Sequence, residues 1–357
     1  MSEQWKTKHG NRRREIFFVL AFWCKVTFSH GVRFKSVLIL RTFLLLQLLT
    51  FSVHAQDSVR GEDVTPEATA YEVLDLMREH VVTRDQVNWR VLKSDLDSIE
   101  RPFTRDNLRE ALTLILKRAD TGHTFYKSAV EPKFVMQRKF ECVATNTYDL
   151  PIIPGHIGYL RVNSFNAPSE KAKLRYIKEL RDEINRQKER DTKAWIIDLR
   201  YNKGGNMWPM LAGVAPLLGN GVHGYFVKPD GSKTAWGTYD GRSFLNNQFM
   251  IGIEKPPVGG ANMPIAVLSS EQTASSGESL LVAFKKGKPN IRSFGKKSCG
   301  MSTANRPFNL SNGATLNITT AIMASKTKVF GGRIAVDESS TRPVKDAIQW
   351  INTLTEH

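Results

Sequence analysis

The segment from residue 264 to residue 287 constrains the fold more than any other part of the chain. The apolar run Pro264–Leu268 predicts a buried strand, and Glu278–Lys286 has helical spacing and ends at Gly287, a typical helix C-cap. Ser275 lies in the sharp turn between the two elements. Its hydroxyl is expected to point outward, next to the free backbone N–H groups of the helix start.

Ser275 has two interpretations at this point. An exposed hydroxyl beside unpaired N–H groups is what a serine nucleophile needs, because those groups can hold an oxyanion. Glu278, however, follows three residues later, which is the spacing of a capping box. Ser275 could therefore be only the cap of the helix.

A second segment has a similar form. Lys193–Arg200 predicts another buried strand, and it leads through Asn202 into the pair Gly204 and Gly205. Paired glycines after a strand allow backbone amides to approach a ligand closely. An ordinary turn at the end of a strand is the alternative.

Together the two segments resemble those of the tail-specific, or C-terminal processing, serine proteases. The family's Asp-Leu-Arg-x-Asn-x-Gly-Gly motif is matched from Asp198 to Gly205, and its Thr/Ser-Ala-Ser-x-x-Glu motif from Thr273 to Glu278. The resemblance covers residues 155–350 well and residues 65–130 loosely. It implies a crotonase-like α/β/α core with Ser275 as the nucleophile.

The general base departs from the commonest family pattern. Many members place a lysine where this chain has Met301, and methionine cannot accept a proton. A resemblance to the tricorn-like, lysine-less members implies a histidine instead. His123 lies in Asp120–Tyr126, which is similar to their Asp-x-His-[Ser/Thr]-Phe element, although two residues separate Asp120 from His123. A packed loop histidine without a catalytic role is the alternative.

The supporting groups follow from the same resemblance. It implies an oxyanion hole formed by the backbone N–H of Ser276 and one from Gly204 or Gly205. Arg200 and Asn202 are expected to brace the glycine turn, since a charged or amide side chain can hold a loop by bonding its carbonyls. Neither a cofactor nor a metal is expected, because no cluster of His, Cys and carboxylates has metal-ligand spacing. The residue that orients His123 stays open, with a Ser or Thr as a further possibility beside these candidates: Asp120, Glu278, Asp337 and Glu338.

Other titratable residues are weaker candidates for the base. Lys296 and Lys297 stand side by side and are expected on the surface, whereas a lysine base would have to be buried to lose its charge. Three other histidines of the body are predicted to lie at a helix end or in glycine turns: His80, His156 and His223.

The first 55 residues have the outline of a secretory signal peptide. Basic residues precede the apolar run Thr42–Phe51, and small residues up to Ala55 offer a cleavage site before Gln56. The mature protein is therefore expected to be secreted or periplasmic, or membrane-anchored if the leader is not cleaved. The leader's nine Lys/Arg and two Asp/Glu contribute +7 of the net charge of +16, which leaves +9 for the body.

The basic residues of the body are scattered among acidic ones. No interleaving of basic and aromatic residues suggests base stacking, so nucleic acid is not an expected partner. A weak attraction to anionic envelope surfaces is compatible with the positive charge. Cys142 and Cys299 could pair in an oxidising compartment, although two distant cysteines are more often unpaired, and the sequence leaves this open.

The body is predicted to be α/β, with a helical domain over residues 56–130 and a catalytic domain over residues 131–357. Helical spacing covers Ala68–His80 and Arg105–Ala119, with Thr104 as an N-cap. Strands and helices then alternate, which indicates an α/β core. The predicted strands are Phe134–Ala144, Gly158–Val162, Ala194–Leu199, Pro264–Leu268, Ile291–Phe294 and Ile318–Ala324, and the predicted helices here are Ser169–Lys188 and one starting near Met207.

The sequence thus predicts an extracytoplasmic serine peptidase that acts on a peptide or protein. About thirty residues separate His123 from the strand at Gly158, which is too few for the PDZ domain found elsewhere in the family. Two alternatives remain: a non-catalytic binder of a ligand or peptide on the same fold, and an esterase. The absence of a Gly-x-Ser-x-Gly elbow weakens the esterase.

Overall fold

Two sheets and seven α-helices organise the part of the chain described by the computed structural model, which covers residues 64–120, 122–131, 134–137, 142, 151–254, 262–285 and 289–355. The helices are α1 Pro66–His80, α2 Trp89–Asp97, α3 Arg105–Ala119, α4 Glu170–Lys188, α5 Met207–Leu218, α6 Ser276–Phe284 and α7 Pro343–Thr355. The strands are β1 Phe125–Lys127, β2 Val135–Gln137, β3 Ile157–Arg161, β4 Ala194–Asp198, β5 Gly221–Val227, β6 Lys233–Tyr239, β7 Arg242–Leu245, β8 Gln248–Gly252, β9 Ile265–Ser269, β10 Ile291–Gly295, β11 Thr303–Asn309, β12 Thr315–Ala324 and β13 Glu338–Ser339.

The five-stranded sheet is parallel and has the order β13-β10-β9-β4-β3. Every residue of β4 and β9 is buried, as expected for strands that are covered on both faces. Trp195 and Ile197 pack with α4, α5 and α6, whereas Ile196 packs with Ala347 and Ile351 of α7. Helices therefore lie on both faces of this sheet.

The eight-stranded sheet is antiparallel and has the order β2-β1-β12-β5-β6-β7-β8, with β11 paired to β12. The N-terminal helices rest on one end of it, where Met77 of α1 and Ile115 of α3 share a core with Leu316 and Ile318 of β12. The helical segment therefore packs against β12, and β1, which begins directly after Thr124, pairs with the same strand.

The observed fold confirms the predicted α/β class with a helical N-terminal part. Thr104 caps α3 as expected, since its hydroxyl accepts from the N–H of Asn107 at 3.3 Å while its own N–H donates to the Asn107 side chain at 2.7 Å. All described residues belong to one compact unit, from Asp63 to His357. The domain boundary at residue 130 and the crotonase-like assignment stay predictions.

Five of the six predicted strands are confirmed to within a few residues, and the sixth, Phe134–Ala144, contributes only β2 among the described residues. The four antiparallel strands β5 to β8 were not predicted. The leader of residues 1–55 and the proposed cap Gly287 lie outside the described residues. Within the described ranges, no helix has the length and apolar character that crossing a membrane would require.

Candidate active site

Ser275 occupies the N-cap position of α6 with φ 52° and ψ −116°. A positive φ in a residue with a Cβ costs on the order of 1–3 kcal/mol and persists only where the surroundings enforce it. Two hydrogen bonds do so here. The N–H of Ala274 donates to the carbonyl of Asn202 at 2.9 Å, and the N–H of Ser275 donates to the Glu278 carboxylate at 2.8 Å.

The glycine turn lies directly against Ser275. Because β4 and β9 are parallel neighbours, their carboxyl ends open at the same edge of the sheet. Gly204 and Gly205 have φ values of 96° and 120°, and a Cβ on Gly204 would stand 2.7 Å from the Ser275 Cβ. A Cβ on Gly205 would stand 2.2 Å from the Phe165 carbonyl oxygen. Only glycine fits these two positions.

The backbone donors around Ser275 are not equivalent. The N–H of Gly204 donates to the Asn202 side-chain oxygen at 2.9 Å, so it is already engaged. Among the described residues, no group accepts a hydrogen bond from the N–H of Gly205 or Ser276. The N–H of Ser276 also belongs to the first turn of α6, where the helix dipole favours negative charge. These two groups are the donors that could hold an oxyanion.

His123 lies across the cleft from this turn, after α3. Its ring Nδ1 is 2.7 Å from the hydroxyl oxygen of Thr303 in β11, and its carbonyl accepts from Asn305 at 2.7 Å. Burial lowers the pKa of His123 to about 4, against the opposing effect of the Asp120 carboxylate. The imidazole is therefore neutral at neutral pH, which is the form that can accept a proton.

The two candidates share one cleft of about 800 Å³, here called the Ser275 cleft; its wall includes His123, Lys203, Ser275, Met301, Thr303 and Met323. No hydrogen bond joins the Ser275 hydroxyl to the His123 ring in the described part of the chain. Catalytic hydrogen bonds are often long before substrate binds. The cleft wall also contains Cys142, which forms a disulfide with Cys299, so the pairing left open by the sequence is present.

Glu278 connects the nucleophile turn to the loop that follows β10. Its side chain is completely buried, and the oxygen that does not bind Ser275 accepts from the Ser298 hydroxyl at 2.5 Å and from the Gly300 N–H at 3.0 Å. Burial raises the pKa of Glu278 to about 7, although these hydrogen bonds act in the opposite direction. A proton on this carboxyl would compete with the N–H groups of Ser275 and Gly300, which donate to its oxygens.

Residues 156–334 match the model of peptidase family S41. The chain belongs to peptidase family S41. Membership supports a peptidase as the general class of this protein. Over 165 residues, the chain is 32% identical to the nisin-resistance protein of Lactococcus lactis subsp. lactis, and the match covers 44% of this chain and 49% of that protein. The chain thus spans about half the length of this relative.

Solved structures show the same S41 fold. A lipoprotein from Streptococcus agalactiae superposes with a TM-score of 0.66 at 21% identity, over 81% of this chain and 97% of that chain. The photosystem II D1 C-terminal processing protease superposes with a TM-score of 0.50 at 14% identity, over 80% of this chain and 96% of that one. At these identities the likeness concerns the fold alone.

The other predicted candidates in this S41 chain lie away from Ser275. His80 stacks on Phe308, His156 lies near Asn352, and His223 is buried beside Thr238. These three histidines are absent from the wall of the Ser275 cleft. The lysine pair is exposed as expected, since Lys296 forms an ion pair with Glu271 at 3.2 Å and Lys297 is on the surface.

The four acidic candidates for orienting His123 have other partners. Asp337 binds Ser293 and Lys285, Glu338 pairs with Arg292, Glu278 holds Ser275, and Asp120 accepts from Gly122 and Thr124. Thr303 contacts the imidazole instead. Thr303 is a residue of the type left open by the sequence, a Ser or Thr, but no local signal distinguished it from the other hydroxyl residues.

The two residues expected to brace the glycine turn act differently. Asn202 does so directly, since its amide nitrogen donates to the Val162 carbonyl at 3.0 Å while its oxygen accepts from Gly204. The guanidinium of Arg200 instead binds the Asp198 carboxylate, with nitrogen–oxygen distances of 2.9 and 2.8 Å. Arg200 therefore contacts the end of β4, and this pair holds the pKa of Asp198 low despite its burial.

Proposed function

We propose that this S41 chain is an extracytoplasmic serine peptidase in which Ser275 is the nucleophile and His123 the general base. The Ser275 hydroxyl attacks the scissile carbonyl as its proton passes to Nε2 of His123, which then delivers that proton to the leaving amine. Thr303 positions the ring when Nδ1–H donates to its hydroxyl, which leaves Nε2 free to accept. The base role requires this tautomer, in which the 2.7 Å contact to Thr303 is a hydrogen bond donated by Nδ1–H.

The observation that carries the proposal is the convergence of these groups in one cleft. Ser275 is held in an enforced backbone conformation, a neutral imidazole faces the same space, and the N–H groups of Gly205 and Ser276 have no described acceptor. Preorganised donors of this kind contribute roughly 3–4 kcal/mol each to transition-state stabilisation. Of the two glycines expected in the oxyanion hole, Gly205 is the better donor because Gly204 is already bonded.

The extracytoplasmic location is supported by the leader and by the relatives. Residues 1–55 have the order of charge, apolar run and small residues that is typical of a signal peptide. One relative is named a nisin-resistance protein and one neighbouring structure a lipoprotein. Both names are consistent with a protein of the cell envelope, and nisin is therefore the first peptide to test as a substrate.

The test compares the wild-type protein with Ser275→Ala and the matched control Ser276→Ala. Peptide cleavage is followed by mass spectrometry on nisin and on a randomised decapeptide mixture, and active serine is labelled with a fluorophosphonate. Ser275→Ala should abolish cleavage and labelling while changing the free energy of unfolding by at most about 1–2 kcal/mol. Ser276→Ala should keep much of the activity, because the proposed role uses its backbone N–H.

Three outcomes would replace this proposal. Undiminished cleavage by Ser275→Ala would assign the nucleophile elsewhere. Absence of both labelling and cleavage in the wild type would favour a non-catalytic binder on the same fold, whereas turnover of small esters without any peptide cleavage would favour an esterase.

A further inference from the structure

Lys203 is a cation at the wall of the Ser275 cleft, and it is the residue directly before Gly204. Its backbone is fixed, since its N–H donates to the Ser164 hydroxyl at 2.8 Å. Its side chain is exposed and has no ion-pair partner among the described residues. By contrast, Lys193 and Lys285 are both paired with an aspartate.

The described wall of the Ser275 cleft contains no aspartate or glutamate. Its other polar side chains are amides and hydroxyls, and its histidine, His123, is neutral at neutral pH because burial lowers its pKa to about 4. Lys203 therefore supplies the charge of the described wall. Glu278 lies behind the nucleophile turn, where it is completely buried and bonded to backbone N–H groups.

The position of this charge relative to the chemistry is fixed by the glycine turn. A Cβ on Gly204 would stand 2.7 Å from the Ser275 Cβ, so the backbone of the preceding residue, Lys203, is close to the reacting bond. A lysine places a compact charge on a flexible stem. An anionic group within a few residues of a scissile bond would come within its reach.

We infer that Lys203 is a specificity residue that binds a carboxylate of the peptide substrate close to the scissile bond. The inference rests on the proposed peptidase function and adds the charge of the preferred substrate. The carboxylate has two possible sources with the same chemistry: the C-terminal α-carboxylate of a substrate cut near its end, and the side chain of an aspartate or glutamate.

The experiment measures competition between matched peptides by mass spectrometry. One arm mixes a randomised decapeptide library as free acids with the same library as C-terminal amides. The other arm uses amidated peptides that carry either Glu or Gln at each position in turn. The proteins are the wild type, Lys203→Gln, Lys203→Arg, and the control Lys297→Gln, which changes an exposed lysine outside the cleft.

The wild type should prefer the carboxylate form in one arm by about tenfold in kcat/KM, the size expected for one charged hydrogen bond. The arm that shows the preference identifies the source of the carboxylate. Lys203→Gln should reduce the preference to within about twofold, while Lys203→Arg and Lys297→Gln should keep it, since the first retains the charge and the second leaves the cleft unchanged.

A wild type without preference in either arm, or a preference that persists in Lys203→Gln, would refute the role of Lys203. A failure of the peptidase proposal is distinguishable, because no library peptide would then be cleaved. In that case fluorescein-labelled acid and amide libraries are titrated onto Ser275→Ala, and equal binding of the two would refute the inference as well.

Discussion

Replacing Glu278 by glutamine should change how the stability of the protein depends on pH. Glu278 is completely buried, and burial raises its pKa from 4.5 to about 7. The native state therefore keeps a proton between these two values, where the unfolded chain has lost it. Since the unfolded state binds fewer protons in this window, this carboxyl lowers the free energy of unfolding as pH rises from about 4.5 to about 7.

The magnitude follows from the two pKa values. The interval from 4.5 to about 7 corresponds to about 3 kcal/mol, at about 1.4 kcal/mol for each pKa unit. Glutamine cannot titrate, so the stability of the wild type minus that of Glu278→Gln should fall by about 3 kcal/mol across this interval and stay level above pH 7. The NH₂ of the glutamine would also face the N–H of Ser275 or of Gly300 and cannot accept a hydrogen bond from it. This loss lowers the free energy of unfolding of Glu278→Gln by about 1–3 kcal/mol at high pH.

Urea unfolding followed by tryptophan fluorescence, with the disulfide intact, measures both proteins at a series of pH values. His123 has a lowered pKa and contributes with the opposite sign in an overlapping window, but it is present in both proteins and cancels in the difference. Glu110→Gln, at an exposed position of α3, is the control and should stay within about 0.5 kcal/mol of the wild type. A difference that rises with pH would show that hydrogen bonding outweighs burial at Glu278.

Two further predictions concern the base and the glycine turn. If His123 is the base, kcat/KM should fall as pH is lowered through about 4, below the ordinary histidine range of 6–7, because burial lowers its pKa; a pH–rate profile without a fall near pH 4, or a fully active His123→Ala beside an inactive Lys296→Ala, would contradict this. Gly204→Ala should lose more than about 2 kcal/mol of stability and most activity, because its Cβ would stand 2.7 Å from the Ser275 Cβ. Gly231→Ala is the control, because Gly231 also has a positive φ but lies in open space, so only Gly204→Ala adds the contact with Ser275. Equal losses of stability for the two variants in urea unfolding would refute the role of this contact.

Local sequence information was sufficient for four of the five strands of the parallel sheet and for the helices α4, α5 and α6, whereas β13 and α7 were not predicted. The strands at Ala194–Leu199 and Pro264–Leu268 are continuous apolar runs because both faces are covered, and such runs are recognisable without tertiary knowledge. The cap at Thr104 is likewise local, since its partner is three residues away. Ser275 and the glycine pair were recognisable because each follows such a strand.

The antiparallel strands β5 to β8 were missed although part of their signal is local. Asp240-Gly241 joins β6 to β7, and both residues have positive φ, as a two-residue hairpin turn requires. Asp230-Gly231 lies in the longer loop of residues 228–232 between β5 and β6, where Gly231 has a positive φ. The strands themselves lack a clear apolar alternation, because they contain several glycines and exposed polar residues, so periodicity alone did not reveal them.

Tertiary structure decided the properties of the candidate site that depend on distant residues. Thr303 meets His123 across 180 positions of sequence, and Cys142 meets Cys299 across 157. Which glycine N–H is free depends on the direction of the Asn202 side chain, which no spacing rule predicts. The pKa values of His123 and Glu278 are set by how much water the packed elements exclude, and that desolvation exists only once the sheets and helices have assembled.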